Sequence, residues 1–392
     1  MRDSSAGLPE FEQSYHTNLL NYIERNPFFD MDFPTEIVDS FRIDGRFLEA
    51  KRWGSGNVND TFLATFAGLE QGKRYIFQRI NHLVFNDPKG LMANMHRVTD
   101  HLATKRQGYR TLCLIDTFND EWFACDENGN YWRAYEFVEG TKSPEFAQDL
   151  TQAYEAAKAF GAFQRDLIDL PGPPLVETIP EFHHTLKRLD RFEKAVVDNS
   201  FGRVEGVAKE VAFIQRRRGL AEWFESKELS GELIRRVVHN DTKLNNVMLD
   251  CDSGKAVCVI DLDTVMPGFV AADFGDLARS AAASALEDEK NLDKMFFRLD
   301  VFEALTKGYL ETASSFLTPL ELESLPLAPQ ALTLELAARF LTDYIEGDVY
   351  FKTERPEHNL DRARAQLKLL LSMEEQEKEV REVIDRHTTN PV

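Results

Sequence analysis

No apolar run in the 392 residues is long enough to cross a bilayer, and the N-terminus carries acidic residues and no signal-peptide core. Both absences predict a cytosolic, cytoplasmic protein. Cysteine is scarce. Cys113, Cys125, Cys251 and Cys258 form no C-x-x-C pair and lie in apolar or turn contexts. That spacing gives no zinc ribbon and no disulfide framework, and predicts reduced, mostly buried thiols. Positive charge is in deficit too. The formal net charge of −20 argues against broad binding to nucleic acid or an anionic membrane, since both need a positive face. A phosphate ligand in a locally positive cleft is not excluded. Two glycine signatures are missing. Gly68-Leu-Glu-Gln-Gly-Lys-Arg74 has the wrong spacing for a Walker A loop and ends on Arg where Ser or Thr is needed. The Gly54-Ser-Gly turn lacks the third glycine of a dinucleotide fingerprint. There is no internal repeat and no low-complexity tract.

The most specific segment present is His239-Asn-Asp-Thr-Lys-Leu-Asn-Asn246, followed by Val259-Ile-Asp-Leu-Asp263. The first fits H-x-D-x-x-x-x-N, the catalytic-loop pattern of kinase-type phosphoryl transfer; the second sets an acidic residue on a short apolar strand soon after. Asp241 can accept the proton of an acceptor hydroxyl and hold its oxygen in line with a γ-phosphorus. Alone it would read as a turn aspartate capping a helix. Asn246 and Asp261 offer hard oxygens suited to Mg²⁺. Asp263 falls on the same face as Asp261 if the strand continues, and could serve a second metal. Lys243 either neutralises charge on the transferred group or pairs with Asp241. His239 reads as a support for the loop backbone rather than a proton carrier. Asp273 and Asp276 read as structural, Asp276 capping the following helix or hydrogen-bonding the loop. Arg216-Arg-Arg218 reads as a solvated helix face.

Residues 54–61, Gly-Ser-Gly-Asn-Val-Asn-Asp-Thr, form a Gly-rich turn between two strand patterns. Backbone N–H groups there can approach phosphate oxygens without a Cβ in the way. This makes Gly54, Gly56, Asn57, Asn59, Asp60 and Thr61 candidates, although a plain hairpin has the same composition. Strand patterns occupy 47–53, 61–66 and 74–80, a helical pattern 88–104, and further strands 111–115 and 131–138. Ahead of them, 15–25 has helical spacing within an added segment, broken at Asn26-Pro27. After a connection at 139–141, helical periodicity dominates at 146–167, 179–199, 204–226, 276–285 and 360–386, interrupted by strands and turns at 236–265. The expected fold is α+β, a protein-kinase-like two-lobe fold with a small antiparallel sheet lobe and a larger mainly helical lobe. The expected boundaries are an N-terminal helical extension at 1–40, a nucleotide-binding lobe at 41–138 and a catalytic lobe at 139–392.

Together these residues resemble the aminoglycoside phosphotransferase and choline kinase superfamily over nearly the whole chain beyond the N-terminal segment. Within it, four stretches look like the N-acetylhexosamine 1-kinases: the loop at 239–246, Val259-Ile-Asp-Leu-Asp-Thr-Val-Met-Pro-Gly268, Gln78-Arg-Ile-Asn81 with Val84-Phe85, and Arg339-Phe-Leu-Thr-Asp-Tyr-Ile-Glu-Gly-Asp-Val-Tyr-Phe351. The resemblance implies an enzyme in which ATP, with Mg²⁺, phosphorylates the anomeric hydroxyl of N-acetylglucosamine or N-acetylgalactosamine. It implies that Asp241 is the base facing O1 and Asp261 a magnesium ligand. Arg339 and Tyr350 would lie in the sugar pocket, and Glu136 to Val138 would form the hinge for the adenine. Arg339, Asp343, Glu346 and Tyr350 recur at three- and four-residue spacing, so as a helix they would share a polar face able to bind sugar hydroxyls.

One departure from the wider kinase pattern concerns the phosphates. The third strand, Tyr75-Ile-Phe-Gln-Arg-Ile, carries Gln78 where many kinase-fold enzymes have a lysine, and Leu91-Met-Ala-Asn-Met-His-Arg offers no glutamate partner. The sugar-kinase branch shares the Gln, so Gln78 stays among the nucleotide candidates. Arg79 points to the other face of a regular strand. Two alternatives stand beside the sugar kinase. One is a kinase for an aminoglycoside, choline or homoserine; the other is a nucleotide-binding pseudokinase, against which Asp241, Asn246 and Asp261 together argue. The expected partners are a small sugar and ATP, without nucleic acid or membrane.

Overall fold

The computed structural model describes residues 33–54, 58–68, 72–105 and 110–389. The expected helix at 15–25, Gly56 and Asn57 lie outside the described residues. The chain divides into two compact units: Met1–Arg106 with Arg110–Gly140 and Val176–Ile179, and Gln107–Tyr109 with Thr141–Leu175 and Pro180–Val392.

The first unit is an antiparallel sheet with one long helix. Its elements are β1 (Arg46–Arg52), β2 (Asp60–Ala67), β3 (Lys73–Ile80), α1 (Pro88–Lys105), β4 (Ala124–Cys125) and β5 (Tyr131–Glu136), in the spatial order β1-β2-β3-β5-β4. Period-two alternation sends Phe62, Ala64, Phe66, Tyr75, Phe77, Trp132 and Ala134 into one core. Ile37 and Val38 of the 3₁₀ turn Thr35–Ser40, with Phe41 after it, help close that core. The strand expected at 111–115 is reduced to a bridge between Leu114 and Tyr135 and single backbone bonds at Ile115 and Cys113. β4 takes the first half of the β5 edge instead, so no continuous ladder forms along 111–115.

The second unit is mainly helical. It runs through β6 (Thr141–Lys142), α2 (Leu150–Asp166), α3 (Thr185–Asp198), α4 (Ala208–Gln215), α5 (Arg218–Leu229), β7 (Arg236–Val238), β8 (Val247–Asp250), β9 (Ala256–Val259) and β10 (Met266–Gly268). It continues through α6 (Val270–Ala281), α7 (Leu299–Ala313), α8 (Pro319–Ser324), α9 (Ala328–Ile345), α10 (His358–Glu375) and α11 (Glu377–Thr389). Its core joins Leu189 and Phe192 of α3 and Ile214 of α4 to Leu334, Ala338 and Leu341 of α9 and Ala363 and Leu370 of α10. α2 and α7 meet backbone to backbone, since a Cβ on Gly308 would lie 2.1 Å from the Tyr154 carbonyl oxygen.

Four sequence expectations change here. The helix expected over 204–226 is a 3₁₀ turn and two helices, broken at Arg216–Arg217. In the basic run at the break only Arg216 is exposed, and the other two arginines are engaged. Arg217 pairs with Glu374 at 2.6 Å and lies over the Phe213 ring, and Arg218 pairs with Asp190, Glu193 and Glu222. The helix expected over 360–386 is interrupted at Gln376, whose side chain donates to the Phe297 carbonyl at 3.0 Å. Of the cysteines, only Cys258 is buried, because the other three fall on strand edges and turns. Among the described residues no helix is long and apolar enough to cross a membrane.

Candidate active site

β7 delivers the chain into the loop at 239–246, and β10 lies against it at close range. A Cβ on Gly268 would sit 2.5 Å from Val238 Cγ2 and 3.0 Å from Asn240 Oδ1. The loop then turns through Asn240, which has φ 65°. Two carboxylates of α6 catch the backbone that this turn exposes. Asp273 accepts the N–H groups of His239 at 2.8 Å and Asn240 at 2.7 Å, and Gln164 of α2 donates to it at 2.7 Å. Asp276 accepts the Thr242 N–H at 3.1 Å and pairs with Arg279 at 2.6 Å. It sits inside α6 rather than at its start, so of the two expectations for Asp276 the loop bond is the one formed. Burial pushes the Asp273 carboxyl above its usual range, against His239 and the two loop N–H bonds. Burial acts on Asp276 as well, but Arg279, Lys243 and His183 outweigh it and hold the carboxyl below its usual range.

His239 is completely buried. Its Nδ1 accepts the Asp241 N–H at 3.3 Å, which leaves Nε2–H to donate to the Ile260 carbonyl at 2.9 Å. The ring thus supports the loop backbone through both nitrogens. Asp241 is flanked by two of the expected partners. Lys243 Nζ lies 2.9 Å from its Oδ1, and Asn246 Nδ2 donates to its Oδ2 at 3.1 Å and its carbonyl at 2.8 Å. The Asp241 charge holds the pKa of the half-exposed Lys243 well above the usual lysine range, against partial desolvation. Asn246 turns its NH₂ to Asp241, which leaves its Oδ1 as the atom available to a cation.

Asp261 reaches this group through the backbone. The Ile260 N–H donates to the Asn246 carbonyl at 2.9 Å while the Ile260 carbonyl holds His239. Asp261 itself is not on a strand. β9 ends at Val259, and Asp261 adopts φ 60° and leads into a 3₁₀ turn, Leu262–Thr264. The alternation that would put Asp263 on the same face therefore does not apply. Asp261 is exposed and Asp263 buried.

The polar helix face expected from Arg339 to Tyr350 is divided, because α9 stops at Ile345. Asp343 closes the turn that follows: it accepts the N–H groups of Val349, Tyr350 and Phe351 at 2.7–2.8 Å and the Asn359 amide at 2.8 Å. Glu346 pairs with Arg191 at 2.8 Å. The turn brings Tyr350 back, so that its Oη lies 3.5 Å from Arg339 Nη2.

In the sheet unit, Thr61, Gln78 and Arg133 stand directly opposite one another on β2, β3 and β5. Gln78 donates to Thr61 Oγ1 at 2.9 Å and accepts from Arg133 at 2.6 and 2.9 Å. A buried guanidinium therefore backs the position where other kinase folds carry a lysine. Asp60 is held by Arg52 and Arg79, and Asn59 accepts the Asn81 N–H at 3.0 Å. Gly54 has φ 79°, and among the described residues nothing lies within 4 Å of where a Cβ would sit. Glu136 and Val138 flank Phe137, whose ring meets Arg74 at 4.2 Å and Trp53 at 5.7 Å.

A family model described as Phosphotransferase enzyme family matches residues 49–305. The chain belongs to this phosphotransferase family. Its fold is similar to that of a microcompartment-associated aminopropanol kinase, with TM-score 0.62 and 15% identity over 88% of this chain and 97% of that one. An aminoglycoside phosphotransferase from Alicyclobacillus acidocaldarius aligns with TM-score 0.61 and 13% identity, over 91% and 98%. A choline kinase from Cryptosporidium parvum aligns with TM-score 0.50 and 15% identity, over 95% and 99%. The phosphotransferase shares with them a kinase-like fold, a sheet unit and a larger helical unit.

Several residues of this phosphotransferase that hold the site were not legible beforehand. Arg133 was detectable as a charge inside an apolar strand. Gln164, His183 and Glu335 belong to no local pattern, and only the folded chain brings them to the loop.

Proposed function

We propose that this phosphotransferase uses ATP to phosphorylate the anomeric hydroxyl of N-acetylglucosamine or N-acetylgalactosamine, giving the sugar 1-phosphate. The observation that carries the phosphoryl-transfer part is the Asp241 carboxylate, set 2.9 Å from Lys243 on a loop whose backbone is tied to Asp273 and Asp276. Asp241 accepts the proton of the acceptor hydroxyl and aims its oxygen. Lys243, half-exposed and permanently charged, turns from Asp241 toward the transferred group. Asn246, Asp261 and Asp263 are hard oxygen donors that fit Mg²⁺, which when bound neutralises phosphate charge. In the sheet unit, the turn at 54–61 with Gln78 takes the phosphates and Glu136 to Val138 the adenine, a role in keeping with the nucleotide-bound relative described as a spectinomycin phosphotransferase in complex with ADP.

The choice of acceptor rests on α9 and on the resemblance to the N-acetylhexosamine 1-kinases. A cationic acceptor such as choline needs uncommitted carboxylates. On α9, Glu335 is bound to His183 and Thr185, and Asp343 to three backbone N–H groups. Arg339 with Tyr350 offers a positive and aromatic surface, which suits a neutral sugar bearing an acetamido group. The test is ATP consumption with each sugar beside choline, an aminoglycoside and homoserine, followed by NMR of the product. Turnover of a sugar with phosphate on C1 is expected. Turnover of choline or an aminoglycoside without either sugar refutes the acceptor, and tight nucleotide binding without any turnover refutes the enzyme.

A further inference from the structure

His183 lies in the loop before α3 and outside every motif, yet both of its ring nitrogens are engaged. Nε2 is 2.9 Å from the Asn240 carbonyl oxygen and Nδ1 is 3.2 Å from Glu335 Oε1. Both partners are acceptors, so filling both contacts takes two N–H groups, which only the imidazolium has. Glu335, on α9, is almost completely buried, and its other oxygen accepts from Thr185 Oγ1 at 2.8 Å. The charged groups around the pair are Asp276 from α6, Arg188 from α3 and Arg339 from α9. Burial opposes the His183 charge, but Glu335, with Asp276 behind it, outweighs burial and raises the pKa above 6.5. Burial also acts on Glu335, where His183, Arg339 and Arg188 hold the carboxyl below its usual range.

The carbonyl that His183 holds belongs to the peptide leading into Asp241. Asn240 is left-handed, a conformation that costs a residue with a side chain about 1–2 kcal/mol. It persists where the surroundings over-determine it. Three anchors do so here: its N–H goes to Asp273, its side chain donates to the Thr264 carbonyl at 2.9 Å, and its carbonyl accepts from His183.

We propose that His183, held as an imidazolium by Glu335, is a positioning residue that fixes the Asn240–Asp241 peptide and thereby aims the Asp241 carboxylate. This rests on the reading of Asp241 as the base. A neutral His183 keeps one N–H and must turn a lone pair on either the carbonyl or the carboxylate. The clamp is therefore complete below the raised pKa and is lost as pH rises through it.

Two measurements on the full chain need no acceptor: a ring-NMR titration of His183 in the wild type and Glu335→Gln, and hydrogen exchange of the Asp241 amide in the wild type and His183→Gln. A His183 pKa above 6.5 that falls in Glu335→Gln is expected, with faster Asp241 exchange in His183→Gln. Kinetics with ATP and N-acetylglucosamine then compare all three proteins. A misaimed base lowers kcat by about tenfold to a hundredfold in His183→Gln, with the KM for ATP little changed. The alkaline limb of kcat should move to lower pH in Glu335→Gln and disappear in His183→Gln. An unshifted pKa in Glu335→Gln, or unchanged exchange and kcat in His183→Gln, overturns the proposal. If no acceptor is turned over, the catalytic reading fails, while titration and exchange still decide whether the clamp exists.

Discussion

Replacing Asp273 by asparagine changes one atom of a buried side chain, yet it should release the loop at 239–246. The carboxylate accepts three bonds: Oδ1 from Asn240, and Oδ2 from His239 and Gln164. Asparagine has one carbonyl oxygen. Set where Oδ2 was, it keeps His239 and Gln164, and its NH₂ then faces the Asn240 N–H. A hydrogen bond to a charged group contributes about 1.5–3 kcal/mol, and a buried donor left without a partner costs about 1–3 kcal/mol. The sum is about 2.5–6 kcal/mol, of which relief from burying a charge returns part. Urea denaturation followed by far-UV circular dichroism reports mainly the helical unit and should show a lower midpoint. Near wild-type stability, or kcat within twofold of wild type in native buffer, would refute the reasoning that this carboxylate sets the loop.

Asp241→Asn should lower kcat by about two to four powers of ten, the worth of a general base, with little change in nucleotide affinity measured by calorimetry; retained turnover removes Asp241 from the mechanism. Gly308→Ala should destabilise the helical unit by about 1–3 kcal/mol, because its Cβ meets a main-chain oxygen that cannot turn away. A melting temperature equal to wild type would contradict that packing. Asp343→Ala should strip the turn at 349–351 of its acceptor and raise the KM for the acceptor more than for ATP, as steady-state kinetics would show. An unchanged acceptor KM would separate that turn from substrate binding.

Much of the fold was legible because it follows local rules. The alternation in β2 and β3 and the long amphipathic pattern of α1 gave the sheet unit, and the loop at 239–246 carried its own spacing. The misreadings have physical causes. Periodicity continued through Ile345 into Tyr350, but Asp343 satisfies the next turn's N–H groups and so ends the helix. Asp261 looked like the continuation of a strand, and its left-handed φ is a tertiary outcome. The contacts His183–Glu335 and Gln164–Asp273 span 152 and 109 positions, and no local pattern encodes them.

Asn94, buried on α1, exchanges two hydrogen bonds with the main chain of Val176, at 2.7 and 3.0 Å. Val176–Ile179 belongs to the sheet unit although the chain entered the helical unit at Thr141. The sheet unit is therefore not a contiguous stretch of gene. A fragment ending at Gly140 would lose both Asn94–Val176 hydrogen bonds, each worth about 0.5–1.5 kcal/mol. A protease cutting after Gly140 would leave the two pieces still stitched by that short excursion.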